Sequence, residues 1–150
     1  MATHFTKKKE IDRKWLVVDA NDQVVGRVAS AVAMFLMGKH KPSYSPHLDT
    51  GDYVIVLNVD KLKFTGNKLD QKMYHRHTGF VGGIRTTTAR QMMANKPEEV
   101  LRKAVKGMLP KSNLSLRRMM KMKIYKGNTH PHAVQQPKDV KINASGKVMA

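Results

Sequence analysis

Apolar residues along this chain fall first into short continuous runs. Trp15-Leu16-Val17-Val18 and Tyr53-Val54-Ile55-Val56-Leu57 have no polar interruption, the signature of strands covered on both faces. Between them the pattern changes period. Val25, Val28, Ala29, Val32, Ala33 and Leu36 recur at i, i+3, i+4 and i+7, which predicts an amphipathic helix, and Gly38 supplies its left-handed cap. Strand, helix, strand predicts a parallel crossover. The intervening GKHKPSYSPHLDTGD reads as a loop, because Pro42 and Pro46 forbid regular structure.

From Lys61 to Arg85 the chain alternates β-prone pieces (LKF, KMYH) with turns at Thr65-Gly66-Asn67 and Gly82-Gly83. Helical spacing then returns. Thr87 or Thr88 caps a helix running to about Asn95, and Pro97 suits the first turn of the next, with Glu98 and Glu99 where the dipole favours acids. Its inward face is Val100, Leu101, Ala104, Val105 and Met108. Pro110 closes it, and Ser112 caps a third helix with Leu116, Met119 and Met120 inward and Arg117, Arg118 and Lys121 outward or flanking. Lys123-Ile124-Tyr125 is a last short strand ending at Gly127-Asn128. This pattern is a single α/β domain over residues 14–127, with a basic arm at 1–13 and a C-terminal arm and disordered tail at 128–150. There is no internal repeat.

Charge changes the picture most. Twenty-eight Lys and Arg against eleven Asp and Glu give a formal +17, far outside the range of about 2 to 8 that suits a small domain with no polyanion to bind. Seven of the eleven acids precede residue 61, whereas Val100 through Lys138 holds ten basic residues and no acid. An acid-free basic stretch interleaved with helical apolar positions points to nucleic acid. Anionic lipid is the lesser rival. No cysteine is present, so disulfides, thiolate metal sites and Cys nucleophiles are excluded, and an intracellular setting is expected. No apolar run reaches the ~18 residues of a membrane span, and MATHFTKKKEIDRK lacks the apolar region of a secretory signal.

Residues 73–85, MYHRHTGFVGGIR, admit three chemistries. His75 with His77, and His130 with His132, place imidazoles two apart on a strand face, which is ligand spacing. Only Asp70 nearby adds a carboxylate and the surroundings are positive, so no tight metal site is expected. Gly79, Gly82 and Gly83 match neither a dinucleotide fingerprint nor a P-loop. They either turn the chain or, lacking Cβ atoms, admit a phosphate-sugar backbone closely while Arg76 and Arg85 neutralise phosphates. Tyr74 and Phe80 either stack on unpaired bases or fill a small core. The acid pairs Asp49 with Asp52 and Glu98 with Glu99 are explained by turn hydrogen bonding and helix-start electrostatics. No catalytic residue, cofactor or small-molecule substrate is expected.

The runs VVGRVASAVAMFLMGKHKPSYSPHLDTGDYVIVLN, FTGNK, YHRHTGFVGGI, AVKGMLPK and KIYKGNTHPHAVQQP, in this order over residues 14–137, resemble the bacterial form of the large-subunit ribosomal protein L13 family. The resemblance implies a three-layer α/β/α fold around a small, mostly parallel sheet. It implies a structural, nonenzymatic role in the cytoplasm, binding and organising large-subunit rRNA during assembly beside neighbouring ribosomal proteins. Positions 38–41, 76–83, 106–111 and 117–126 fall in motifs that the resemblance sets near rRNA. Together with the FTGNK motif and Arg85, the candidates for RNA binding are Lys39, His40, Lys41, Lys68, Arg76, His77, Gly79, Gly82, Gly83, Arg85, Lys106, Lys111, Arg117, Arg118, Lys121, Lys123 and Lys126. Ser115 stands where the family pattern leads one to expect glycine. The rival classes are a nucleotide- or metal-dependent enzyme on an α/β core and a DNA-binding module.

Overall fold

The two continuous runs become strands β1 (Trp15–Asp19) and β2 (Tyr53–Leu57), parallel and in register from Trp15 opposite Tyr53 to Asp19 opposite Leu57. The computed structural model describes residues 6–142 and 148–149. Helix α1 (Val25–Met37) connects the strands and buries its whole predicted stripe. It stops because Gly38 adopts φ 82°, which lets the Gly38 N–H donate to the Met34 and Phe35 carbonyls.

The chain continues through α2 (Lys68–Gln71), β3 (Met73–His77), β4 (Ile84–Thr88), α3 (Ala89–Asn95), α4 (Pro97–Met108), α5 (Asn113–Met120), β5 (Met122–Ile124), β6 (Lys138–Ile142) and β7 (Val148–Met149). The main sheet has the order β5-β2-β1-β6-β7, with the first four strands parallel and β7 antiparallel to β6. Because β1 and β2 are central, their side chains meet cover on both faces, which is why their sequences are continuously apolar.

On one face Leu16, Val18, Val54 and Val56 pack against Val28, Val32 and Leu36 of α1 and Val100, Leu101 and Val105 of α4. Each such buried side chain contributes about 1.5–3 kcal/mol. On the other face Val17, Ile55 and Leu57 form a smaller cluster with Trp15 and Tyr125. His132 closes this side, its ring 5.1 Å from that of Trp15 and its Nε2 hydrogen-bonded to the Tyr125 hydroxyl at 2.7 Å. A single 3-10 turn, Ala133–Gln135, follows it. The sheet is therefore covered on both sides, as an α/β fold requires, with one layer much thicker.

Helix boundaries follow their local chemistry. Thr88 caps α3, its Oγ1 accepting the Gln91 N–H while Gln91 Oε1 accepts the Thr88 N–H. Pro97 opens α4, and Glu98 and Glu99 lie in its first turn. Ser112 occupies the N-cap position of α5 without a side-chain capping bond. Ser115 instead donates its hydroxyl hydrogen to the Pro110 carbonyl, so its extra oxygen is satisfied in the turn between α4 and α5.

Three expectations are corrected. Residues 138–142, read as part of a disordered tail beyond a boundary at 127, form β6 in the parallel sheet, with Leu16 opposite Lys138 and Val18 opposite Val140. Their alternation of charged and apolar residues is too short to signal a strand without its partner. Residues 143–147 and 150 of that tail, and 1–5 of the basic arm, lie outside the described residues. Within the arm, Thr6 is buried and its hydroxyl donates to the Ser43 carbonyl. The inward face of α5 is rotated from the predicted one: Leu116 and Met120 are 62% and 66% exposed, while Ser115 and Arg118 are buried. Met108, expected inside, is also exposed at the end of α4.

Candidate nucleic-acid interface

Cations in this protein divide into those spent on internal structure, those in exposed ion pairs such as Arg90 with Asp70, and those without an ion-pair partner among the described residues. Asp52, 1% exposed, anchors the first internal group at the end of the loop between α1 and β2. Its Oδ1 accepts the Lys14 backbone N–H at 2.9 Å and the Lys41 ammonium, while Oδ2 is hydrogen-bonded to His40 Nε2 at 2.8 Å. Lys41 also donates to the Asp12 carbonyl at 2.6 Å and the Thr50 carbonyl at 3.1 Å. A second group gathers on Asp49. Lys121 Nζ reaches Asp49 Oδ1 at 2.7 Å and the Gly51 carbonyl at 2.8 Å. Arg118 donates through Nη2 to the Leu48 carbonyl at 3.1 Å. Its Nε, 3.7 Å from Asp49 Oδ1, is within ion-pair range but too long for a hydrogen bond.

These contacts bear on four of the candidates. Arg118 and Lys121 are buried, Lys41 is half-buried against Asp52, and His40, at the surface, is hydrogen-bonded to the same carboxylate, so all four tether the loop. Burial holds the Lys121 ammonium below its ordinary value, against the opposing pull of Asp49, with Arg13 and Arg118 adding to the depression. Glycine serves the same loop: a Cβ on Gly51 would fall on the Leu36 carbonyl, so only hydrogen fits there.

The other candidates lie at the surface. Lys39, Arg76, Arg85, Lys106, Lys111, Arg117 and Lys126 are exposed, Lys123 is half-buried, and none has an ion pair or side-chain hydrogen bond among the described residues. Among the described residues Lys68 makes one side-chain bond, to the Thr65 hydroxyl at 3.3 Å.

Strands β3 and β4 form a separate two-stranded antiparallel ribbon, exposed along most of its length. Direct cross-strand partners are Tyr74 with Thr87, His75 with Thr86, Arg76 with Arg85 and His77 with Ile84. Alternation therefore puts Tyr74, Arg76, Arg85 and Thr87 on one face and His75, His77, Ile84 and Thr86 on the other. Arg76 and His77, adjacent in sequence, cannot act on the same surface. His75 Nδ1 is hydrogen-bonded to the Thr86 hydroxyl at 2.9 Å, and His77 Nδ1 accepts the Gly79 N–H at 3.0 Å.

At the tip Gly79 and Gly82 adopt φ 96° and 70°, conformations that favour glycine. Gly83 has an ordinary φ but no lateral room, since a Cβ would land on the Thr78 hydroxyl and 2.9 Å from the Phe80 carbonyl. Its N–H donates to the Phe80 carbonyl, and its own carbonyl accepts the Thr78 N–H. All three glycines thus have work in the turn. Phe80, offered above as a base-stacking or core residue, is 79% exposed and belongs to no core.

Tyr74, at the root of the ribbon, is half-buried, and this desolvation pushes its phenol up. The ammonium groups of Lys72 and Lys103 lie 5.5 and 5.1 Å from its ring centroid, within cation–π range. Facing it across a cleft of about 620 Å³ are Met92, Lys96, Glu99 and Lys103. The sequence reading missed Lys72, Lys96 and Lys103. A signal existed for Lys103, one turn before Lys106 on the same helix, but nothing local brings Lys96 beside Arg76.

Asp49 and Asp52 turned inward, cations without ion-pair partners on a ribbon and on helix faces, and a covered core make this a strongly basic α/β scaffold. The family model for ribosomal protein L13 matches residues 13–131, and the chain belongs to that family. It is 54% identical over 144 residues to the large ribosomal subunit protein uL13 of Nitrosomonas eutropha, covering 96% of this chain and all of that one. The proteins of the same name from Geobacter sulfurreducens and Nitratidesulfovibrio vulgaris are 52% and 50% identical, over 93% and 91% of this chain and 98% and 95% of theirs. Membership makes the chain a structural component of the ribosome and not an enzyme.

Proposed function

We propose that this large-subunit ribosomal protein holds large-subunit rRNA through phosphate contacts from its free surface cations. Those cations are Lys39 beyond α1, Lys68, Arg76 and Arg85 on the ribbon, Lys106 and Lys111 around the end of α4, Arg117 on α5, and Lys123 and Lys126 after it. Arg118, Lys121, His40 and Lys41 act behind that surface by fixing the loop that carries Lys39. The observation that carries the reading is the Arg76–Arg85 pair: two arginines directly opposite each other in the ribbon register, neither with an ion-pair partner among the described residues. Like charges so placed destabilise an isolated ribbon, and a phosphate between them reverses the sign. The exposed apolar side chains Leu116 and Met120 support contact with neighbouring ribosomal proteins beside the RNA surface.

Binding to large-subunit rRNA fragments and to duplex DNA, measured across salt at matched ionic strength, tests this. The expected result is tighter binding to the rRNA, with log affinity falling linearly against log salt by about 0.7–0.9 per phosphate contact. Equal affinity for DNA would reject the rRNA assignment in favour of a general polyanion binder. Co-sedimentation of the chain with the large subunit is the second expected result.

A further inference from the structure

Four cations line the cleft between the ribbon and the α3–α4 pair. Arg76 and Arg85 enter from the ribbon, Lys96 from the junction of α3 and α4, and Lys103 from the second turn of α4. None of the four makes an ion pair or side-chain hydrogen bond among the described residues. The one acid in the lining, Glu99, is engaged by Arg102 at 2.6 Å, so it does not neutralise them. Four uncompensated cations in one cleft repel one another unless an anion enters.

We infer that this cleft takes a single strand of rRNA looped out of its helix, with phosphodiester groups between Arg76, Arg85, Lys96 and Lys103. The inference rests on the rRNA-binding reading above and specifies what enters one part of that surface. A cleft of about 620 Å³ lies in the size range, roughly 300–1,000 Å³, of sites that enclose a small molecule, and so admits an element the size of a nucleotide. Its walls approach from two sides. A looped-out strand presents phosphates to both, whereas a duplex turns a row of phosphates toward one wall and keeps its bases stacked. The guanidinium groups match phosphate oxygens bidentately, and the lysines add point charge. Tyr74 is a positioning residue here. With ammonium groups of Lys72 and Lys103 already over its ring, it directs Lys103 rather than offering a free stacking face.

The test uses the full chain with three probes: a short single-stranded oligoribonucleotide of mixed sequence, a hairpin duplex of the same composition, and a large-subunit rRNA fragment. The single strand is expected to bind more tightly than the duplex. Arg76→Gln with Arg85→Gln, and separately Lys96→Gln with Lys103→Gln, should each weaken single-strand binding at least about tenfold and make its salt slope shallower by about 0.7 for every phosphate no longer neutralised. Arg27→Gln with Lys141→Gln removes the same charge elsewhere and should weaken binding much less. In the unsubstituted protein, Lys96 and Lys103 should be shielded by the rRNA fragment from an amine-acylating reagent, which reads the site without relying on variant folding. Equal affinity for strand and duplex, an equal weakening in the control variant, or unshielded Lys96 and Lys103 would each overturn the inference. If the rRNA fragment still binds in those cases, the broader rRNA reading stands. Failure of the fragment to bind at all removes both.

Discussion

Arg76 and Arg85 are direct partners across the β3–β4 ribbon, and no described residue balances their charge. Replacing Arg85 with Gln should therefore leave the isolated protein as stable as before, or more stable by about 0.2–1 kcal/mol, while weakening rRNA binding. Melting temperature and rRNA affinity of one variant check both signs. A fall in both together would mean that the guanidinium group supports the fold.

Lys121 and Asp49 form the internal counterpart. Asp49→Asn leaves an ammonium buried without its partner and should cost about 3 kcal/mol in chemical unfolding. Adding Lys121→Met to it should recover most of that stability, since the pair is then removed whole. Affinity for rRNA among folded molecules should change little in the double variant. A strong drop in affinity there would return Lys121 to the RNA surface.

At the ribbon tip, Gly83→Ala places a methyl group on the Thr78 hydroxyl, so the Thr78–Gly83 hydrogen bonding should be disturbed. Amide chemical shifts should move within residues 73–88 and stay unchanged in β1, β2 and α1. Thr78→Ala in the same chain should restore part of the native pattern by removing the atom that is struck. Weakened rRNA affinity with an undisturbed ribbon would instead show that Gly83 admits the RNA backbone.

Asp70 receives two hydrogen bonds from Arg90, at 2.8 and 3.0 Å. These bonds hold its carboxyl below the ordinary carboxylate value; desolvation opposes them, and the guanidinium charge adds a lesser pull downward. A group lowered on folding stabilises fully above its unfolded value, and that contribution is lost as pH falls through the folded one. NMR titration should therefore find the Asp70 midpoint below 3.8, moving upward in Arg90→Gln. An unmoved midpoint would show that the bidentate pair does not persist in solution.

How much of this was legible beforehand depends on whether a signal is local. The β1–α1–β2 unit, the Gly38 cap and Pro97 at the start of α4 all appear where the sequence placed them, and of the two threonines offered as the cap of α3, Thr88 takes that position. Each depends on residues within one or two turns of one another. The family was legible too, because long motifs recur in order along the chain. The particular site was less so. Of the cations selected for RNA, Arg118, Lys121 and Lys41 turned out to serve Asp49 and Asp52.

Sequence by itself determined the central strands and α1, the excess of positive charge, the absence of thiol chemistry and the family. Apolar periodicity, charge and motif order carry these, and none needs a distant partner. Tertiary structure alone decided which cations are free. Arg117 and Arg118 are adjacent and chemically alike, yet Arg118 packs against a loop seventy residues earlier in the chain while Arg117 remains outside. It decided the face of α5 in the same way, because Arg118 and Lys121, with carboxylate and carbonyl partners, turn inward while Leu116 and Met120, which periodicity set inward, are exposed. It also made a strand of residues 138–142, whose ladder bonds need β1 on one side and β7 on the other. A charge or a hydrogen-bonding edge has no fixed fate until its partner is in place, and the partner comes from far along the chain.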